Sequence, residues 1–108
     1  MTDQVIYSFH FTDCTLDYTQ FYKLKLKQIR FIGCSMVATD FMETDLTEAI
    51  FDHCDLRRAV FSKTIANKAD FSTSFNFTID PEQNKLKKAK FALEGLKGLL
   101  EKYDLIIK

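Results

Sequence analysis

Three cysteines stand twenty residues apart, at Cys14, Cys34 and Cys54, and two histidines stand at His10 and His53. Thiols and imidazoles are the groups that ligate zinc, form disulfides or act as nucleophile and base. This spacing serves none of those ends well. It contains no Cys-x-x-Cys clamp, the short pairing that zinc and redox sites use. An odd number of cysteines in a chain that is not disulfide-dense points to thiols rather than bridges. His10 and His53 have no serine or carboxylate set out as a nucleophile, base and orienting group. Only three glycines are present, with no glycine-rich phosphate loop, and no carboxylate pair is framed for acid–base work. The chain therefore reads as a non-enzyme with no catalytic residue, no metal site and no cofactor.

Those residues must sit on some regular element, and its period is five. Every fifth residue from Ile6 is apolar: Ile6, Phe11, Leu16, Phe21, Leu26, Phe31, Met36, Phe41, Leu46, Phe51, Leu56, Phe61, Ala66 and Phe71. With Phe91 included, eight of the eleven phenylalanines fall on this lattice. Neither the strand period of about 2 nor the helix period of about 3.6 generates such a comb. A second comb lies two residues earlier and becomes uniformly small from Thr39 through Thr44, Ala49, Cys54, Ala59, Thr64, Ala69 and Ser74. Each unit thus points one large apolar group inward with a smaller one beside it. A single unit closes no core, so units must stack.

The stretches Ala49-x-Phe51, Asp55-Leu56 and Ala69-Asp70-Phe71 resemble the alanine/aspartate–leucine/phenylalanine unit of pentapeptide-repeat proteins. The resemblance implies an all-β fold, a right-handed quadrilateral parallel β-helix, with four units to a coil. It also implies that residues twenty apart stack about 4.8 Å from one another. Phe11, Phe31, Phe51, Phe71 and Phe91 then form one column, and Phe21, Phe41 and Phe61 form the column across the square. Cys14, Cys34 and Cys54 become a ladder of small buried side chains within disulfide distance but pointing in parallel. Lys23, Glu43 and Lys63 form a column of alternating sign, as do Lys25 and Asp45, giving weak ion pairs between coils.

Residues 1–76 are read as coils and residues 77–108 as an ending, similar to that of longer bacterial members whose C-terminal half this chain resembles. Residues 77–84 read as a turn-rich excursion around Asp80-Pro81, and Lys85 to Phe91 as a return to the coil. Over about 92–103 the period changes, with Leu93, Leu96, Leu100 and Tyr103 on one face of a capping α-helix and Leu99 beside it. Gly95 and Gly98 weaken that helix. Leu105 to Ile107 reads as a short terminal strand. A solenoid end exposes apolar rungs and needs a cover, so the helix is read as a cap or as a homodimer face. Only Met1 to Val5 precede the first rung, so the N-terminal coil is expected to be open or covered by a partner.

Charge balances at 15 basic and 15 acidic side chains, which gives no net field toward nucleic acid or membrane. With no long apolar run and no secretion signal, the chain reads as cytoplasmic. Two functions are weighed. The first is a structural or protein-interaction module, with Tyr22 and Met42 in one outward column and Ile32 and Val37 on neighbouring faces as a partner surface. The alternative, implied by the resemblance, is a DNA mimic that binds DNA gyrase or topoisomerase IV and modulates quinolone sensitivity. Mimicry asks for an axial line of negative charge. The acids Asp40, Glu43, Asp45, Glu48, Asp52 and Asp55 instead share one coil and form a belt.

Overall fold

A computed structural model describes residues 9–108 of the chain; Ile6 and the N-terminal Met1 to Val5 lie outside them. Three parallel strands stack in the order β1 (His10–Thr12), β2 (Arg30–Ile32) and β3 (Ile50–Asp52). Phe11 pairs with Phe31, and Phe31 with Phe51, so each coil advances by twenty residues. Single-residue parallel bridges continue this interval along the other walls, as in Thr15–Ser35–Asp55–Phe75, Gln20–Asp40–Val60 and Lys25–Asp45–Ile65–Lys85. Four rows of pairing five residues apart define four walls, named here for their inward residues: the Phe51 wall, the Leu56 wall, the Phe61 wall and the Leu46 wall.

The corners explain the five-residue unit. From Asp13 to Lys68 every fifth residue has a positive φ, between 53° and 63°, and only Gly33 among them is glycine. Such a conformation costs a non-glycine residue about 1–3 kcal/mol. It is offset because the chain turns sharply enough to return to the ladder. The N–H of Leu46 reaches the Ile65 carbonyl at 2.6 Å, and that of Ile65 reaches the Thr44 carbonyl at 3.0 Å. Where Asp precedes the inward residue, its carboxylate takes the N–H two residues on. Asp40 accepts from Met42 at 2.8 Å, Asp45 from Thr47 at 3.0 Å and Asp70 from Ser72 at 2.9 Å. The corner then closes with a bond such as Thr44 N–H to Phe41 carbonyl, 3.1 Å. In the row of His10, Arg30 and Ile50 the backbone stays extended as β1 to β3.

Aromatic rings fill the interior. Successive rings of the Phe51 wall lie stacked with centroids 4.9–5.6 Å apart from Phe11 to Phe91. Phe21, Phe41 and Phe61 stack at 5.4 and 5.2 Å. The two columns meet edge to face, as Phe41 meets Phe51 at 5.7 Å. Met36, Leu46 and Leu56 complete the core.

The ending departs from expectation in three respects. The stretch expected to be α-helical forms two 3-10 helices, Leu93–Leu99 and Glu101–Tyr103. A three-residue turn places Gly95 and Gly98 on one face, and a Cβ on either would meet the Phe77 ring, at 3.0 Å from Gly95 and 2.8 Å from Gly98. The glycines are thus the packing face. Leu93 is 83% exposed, Leu96 and Tyr103 are also exposed, Leu100 is half-buried, and Leu99 alone of these packs on the core. Leu105 to Ile107 form no strand: Asp104 turns the chain at φ 52° and all three residues are exposed. Thirdly, the excursion is not merely a surface loop. Phe77 and Ile79 are buried, Phe77 sits 5.5 Å from Phe91, and Ile79 donates to the Gly98 carbonyl at 2.9 Å. The Leu56 and Phe61 walls end after three inward residues, and these two side chains fill the space.

Gly98→Ala should detach the cap, at a cost of about 1–3 kcal/mol. Faster amide exchange at Ile79, with coil amides near Phe51 unchanged, is the expected signature. Phe51→Ala, in mid-column, should cost about 3–5 kcal/mol in chemical denaturation, and Phe11→Ala at the half-buried end of the column distinctly less.

Candidate functional site

The cysteine column lies inside the corners. Cys34 and Cys54 are buried and Cys14 is half-buried, all as free thiols. Each of the deeper two points its sulfur at a backbone carbonyl twenty-three residues earlier, Cys34 to Phe11 at 3.4 Å and Cys54 to Phe31 at 3.3 Å. Hydroxyls of the same comb do likewise: Thr44 to Phe21 and Thr64 to Phe41, each 2.7 Å. The second comb therefore satisfies corner carbonyls as well as filling space. Burial pushes the Cys34 thiol up and the Cys54 thiol up to about 12, the opposite of an activated nucleophile. Among the described residues no cluster of His, Cys, Asp and Glu could hold a metal ion.

His53 lies at an exposed corner, where its Nδ1 is 2.5 Å from Asp52 Oδ1. Thr73 on the next coil donates to the same oxygen at 3.0 Å and accepts from the His53 amide at 2.9 Å. The histidine first, and then Thr73, holds the Asp52 carboxyl below its ordinary value. The hydroxyl faces the carboxylate, not the imidazole. The trio therefore clips two coils together and activates nothing.

The expected partner surface divides. Tyr22 and Met42 occupy equivalent positions on successive coils of the Phe61 wall, with Tyr22 44% exposed and Val60 on the same wall 41% exposed. Ile32, expected on a neighbouring face, belongs to β2 on the Phe51 wall, across the square from Tyr22 and Met42, and Val37 to the adjoining Leu56 wall, where its amide donates to Asp17 at 2.9 Å. Both are half-buried. Sequence reading passed over Tyr18, 69% exposed at a left-handed corner of the first coil; its place at that corner was the available signal.

The acidic belt is partly structural. Asp40, Asp45 and Asp55 are half-buried and spend a carboxylate oxygen on their own turns. Glu43 and Glu48 are exposed, and Glu48 accepts from Gln28 at 3.1 Å. No acid in these rows stacks on another: Asp40 lies between Gln20 and Val60, Asp45 between Lys25 and Ile65, and Asp55 between Ser35 and Phe75. The expected Lys25–Asp45 ion pair is replaced by Lys27–Asp45 at 4.0 Å, because Lys27 reaches across the rung. Lys23 is raised first by hydrogen bonding to the Tyr22 side chain, then by its charge, and less by Glu43; its Nζ also sits 5.1 Å from the Tyr22 ring centroid.

Beside the cap a groove of about 820 Å³ runs between Phe75 and the first 3-10 helix, bordered by His53, Arg57, Glu94 and Gly98. Among the described residues no helix is long and apolar enough to cross a membrane.

A four-walled ladder of five-residue units around stacked phenylalanines defines a repeat solenoid whose accessible chemistry lies on its outer walls. Residues 6–91 match the pentapeptide repeat region family, and the chain belongs to that family, whose fold is the right-handed β-helix. Such proteins are in general non-enzymatic structural or interaction modules. Among solved structures it is similar to HetL, a pentapeptide repeat protein involved in heterocyst differentiation regulation from the cyanobacterium Nostoc sp. strain PCC 7120. Identity is 15% and the TM-score 0.66, over 72% of this chain and 36% of HetL. A trypsin-treated form of QnrB1, a plasmid-mediated fluoroquinolone resistance protein, is 19% identical over 90% of this chain and 47% of its own, with a TM-score of 0.45. The chain thus spans less than half the length of either. No curated protein matches it.

The thiols should label in the order of their exposure. Under native conditions at pH 8, an aromatic disulfide reagent should modify Cys14 well before Cys34, and Cys54 only on unfolding. The raised Cys54 value also fixes a sign. The unfolded thiol ionises near 9.0 and the folded one near 12, so this contribution is whole below about pH 9 and is lost as pH rises toward 12. Cys54→Ala should flatten the alkaline fall in stability, read from denaturation midpoints between pH 8 and 10.5.

Proposed function

We propose that the chain is a non-catalytic interaction module that presents flat solenoid walls to a protein partner. The observation that carries this reading is the packed interior. Phe31, Phe41, Phe51, Met36, Leu46 and Leu56 are wholly buried, and no buried side-chain polar atom among the described residues lacks a partner. Nothing inside is left to bind a ligand, so specificity belongs to outward side chains. On the Phe61 wall Tyr22, Met42 and Val60 form an apolar strip flanked by Asp40, the mix of aromatic, methionine and polar rim that protein interfaces favour. The sequence layout weighs against duplex mimicry, because the acidic residues alternate along the axis with Lys23, Lys63, Lys68 and neutral groups. Self-association through the cap or the first coil is a second use of the same surfaces, and its readout is molar mass.

The test is retention of a partner from native cell extract. A Tyr22→Ser/Met42→Ser variant of unchanged thermal stability should lose the partner that the wild type retains, and micromolar wild type should leave gyrase supercoiling and its quinolone inhibition unaltered. Equal retention by both proteins, or strong inhibition of gyrase, overturns the reading. Light scattering on the eluting protein across a hundredfold concentration range reports self-association.

A further inference from the structure

The balanced net charge conceals a segregation that only the coil reveals. Residues 63–68 and 83–90 contain Lys63, Lys68, Lys85, Lys87, Lys88 and Lys90 and no acid. All six lysines are exposed, and the ladder folds both segments onto consecutive coils of the Leu46 wall and its corners, with Lys90 just beyond, on the Phe51 wall beside Asp70. Ile65 bridges Lys85, the Lys63 N–H reaches the Gln83 carbonyl at 2.8 Å, and the Lys68 N–H reaches the Lys87 carbonyl at 2.9 Å.

Lys68 and Lys88 occupy the same left-handed corner on neighbouring rungs, each at φ 61°. Like charges so stacked oppose folding. Elsewhere this corner column avoids the conflict, with Gln28 bonded to Glu48 and Glu48 followed by Lys68. No ion pair within 4.0 Å relieves any of the six lysines among the described residues. Several neighbouring acids are engaged elsewhere: Asp45 holds Lys27 and Thr47, Glu48 holds Gln28, Asp70, bridged to Lys90, holds Ser72, and Glu82 holds Lys102. Beside these rungs lies a cleft of about 360 Å³ lined by Lys63, Thr64, Ile65, Asn84 and Lys85, with Glu82, whose carboxylate pairs with Lys102, at the same cleft.

We propose that this basic end of the Leu46 wall docks an extended acidic segment of another protein, with an apolar side chain of that segment seated on Ile65. The proposal rests on the interaction-module reading and adds a second face with a stated partner chemistry. Charge complementarity selects an anion, and the dimensions select its kind. The lysine zone spans two rungs, about 5 Å apart, and the next rung toward the N-terminus carries Glu43, Asp45 and Glu48. That acidic band repels a planar bilayer surface or a duplex lying along the wall, whereas a peptide with a few carboxylates fits beside it. The segments 63–68 and 83–90 also contain no aromatic residue and no arginine, so they lack the groups that stack on or read bases.

Fluorescence anisotropy of the labelled peptide Glu-Glu-Asp-Leu-Asp-Glu-Glu tests the proposal, with its Gln/Asn counterpart, a duplex DNA and phosphatidylserine vesicles as comparators. Binding should weaken steeply with added salt. Lys68→Glu/Lys88→Glu should reduce affinity about tenfold or more, whereas Lys23→Glu/Lys25→Glu, an equal charge change on the first coil, should reduce it less than about threefold. Lys88→Glu alone should raise the melting temperature by about a degree or more while weakening the peptide, since it pairs with Lys68. Equal losses in the two double variants, or tighter binding of duplex or vesicles than of the peptide, overturn the inference. If the wild type fails to bind the peptide yet retains a partner that the Tyr22→Ser/Met42→Ser variant loses, this inference falls and the interaction reading stands.

Discussion

The left-handed residue at each corner is the constraint on which the molecule depends. Twelve consecutive corners from Asp13 to Lys68 accept positive φ, eleven of them without glycine. Each is individually unfavourable for an L-residue. What holds them is the parallel ladder, because a corner that relaxed would shift every later rung out of register. The strain is local and the reward is shared between coils, so stability should be cooperative along the rod in the manner of other solenoids. The long polar side chains at these corners, such as Glu43, Arg58 and Lys63, follow from the same geometry. The corner points away from the core, and solvent receives whatever is placed there.

The small comb answers a problem that the corners create. A sharp turn leaves a carbonyl facing inward, where a missing hydrogen bond is costly. Thr39, Thr44, Thr64 and Ser74 supply a hydroxyl, Cys34 and Cys54 supply a thiol, and Asn84 supplies an amide to Phe61 at 3.0 Å. Side chains as different as cysteine and asparagine are equivalent here because all are short donors aimed back by one coil and three residues. Cys34 and Cys54 are members of this series, and Cys14, on the first described coil, turns its sulfur to the Thr12 carbonyl instead.

Much of the coil was legible from spacing, because a period of five with large apolar residues has few structural solutions. The Phe31–Phe51 pairing and the ring columns followed from it. The ending was less legible for physical reasons. Gly95 and Gly98 were read through helix propensity, but a close approach to Phe77 overrides propensity, and no sequence pattern announces which aromatic will lie opposite a glycine. Phe77 and Ile79 fall off the lattice, and their burial depends on two walls stopping early. The twenty-residue interval places Tyr22 and Met42 together and Val37 on the neighbouring Leu56 wall, whereas Ile32, expected on a neighbouring face, stands on the Phe51 wall across the square. The lysine concentration at 63–90 was visible residue by residue, but its meaning required knowing that positions 63–68 and 83–90 lie side by side.

The detour at 76–82 leaves the register untouched. Gln83, Asn84 and Lys85 return to the rows of Lys63, Thr64 and Ile65 as though no wall had been skipped, with Asn84 accepting from the Thr64 amide at 3.0 Å. The winding therefore tolerates a hem: a stretch of chain is let out after Phe75, and the turn from Asp80 to Gln83 stitches it back. A foreign loop grafted onto this rigid scaffold must keep that turn and the Glu82–Lys102 pair, and it then alters neither the ring columns nor the rung spacing.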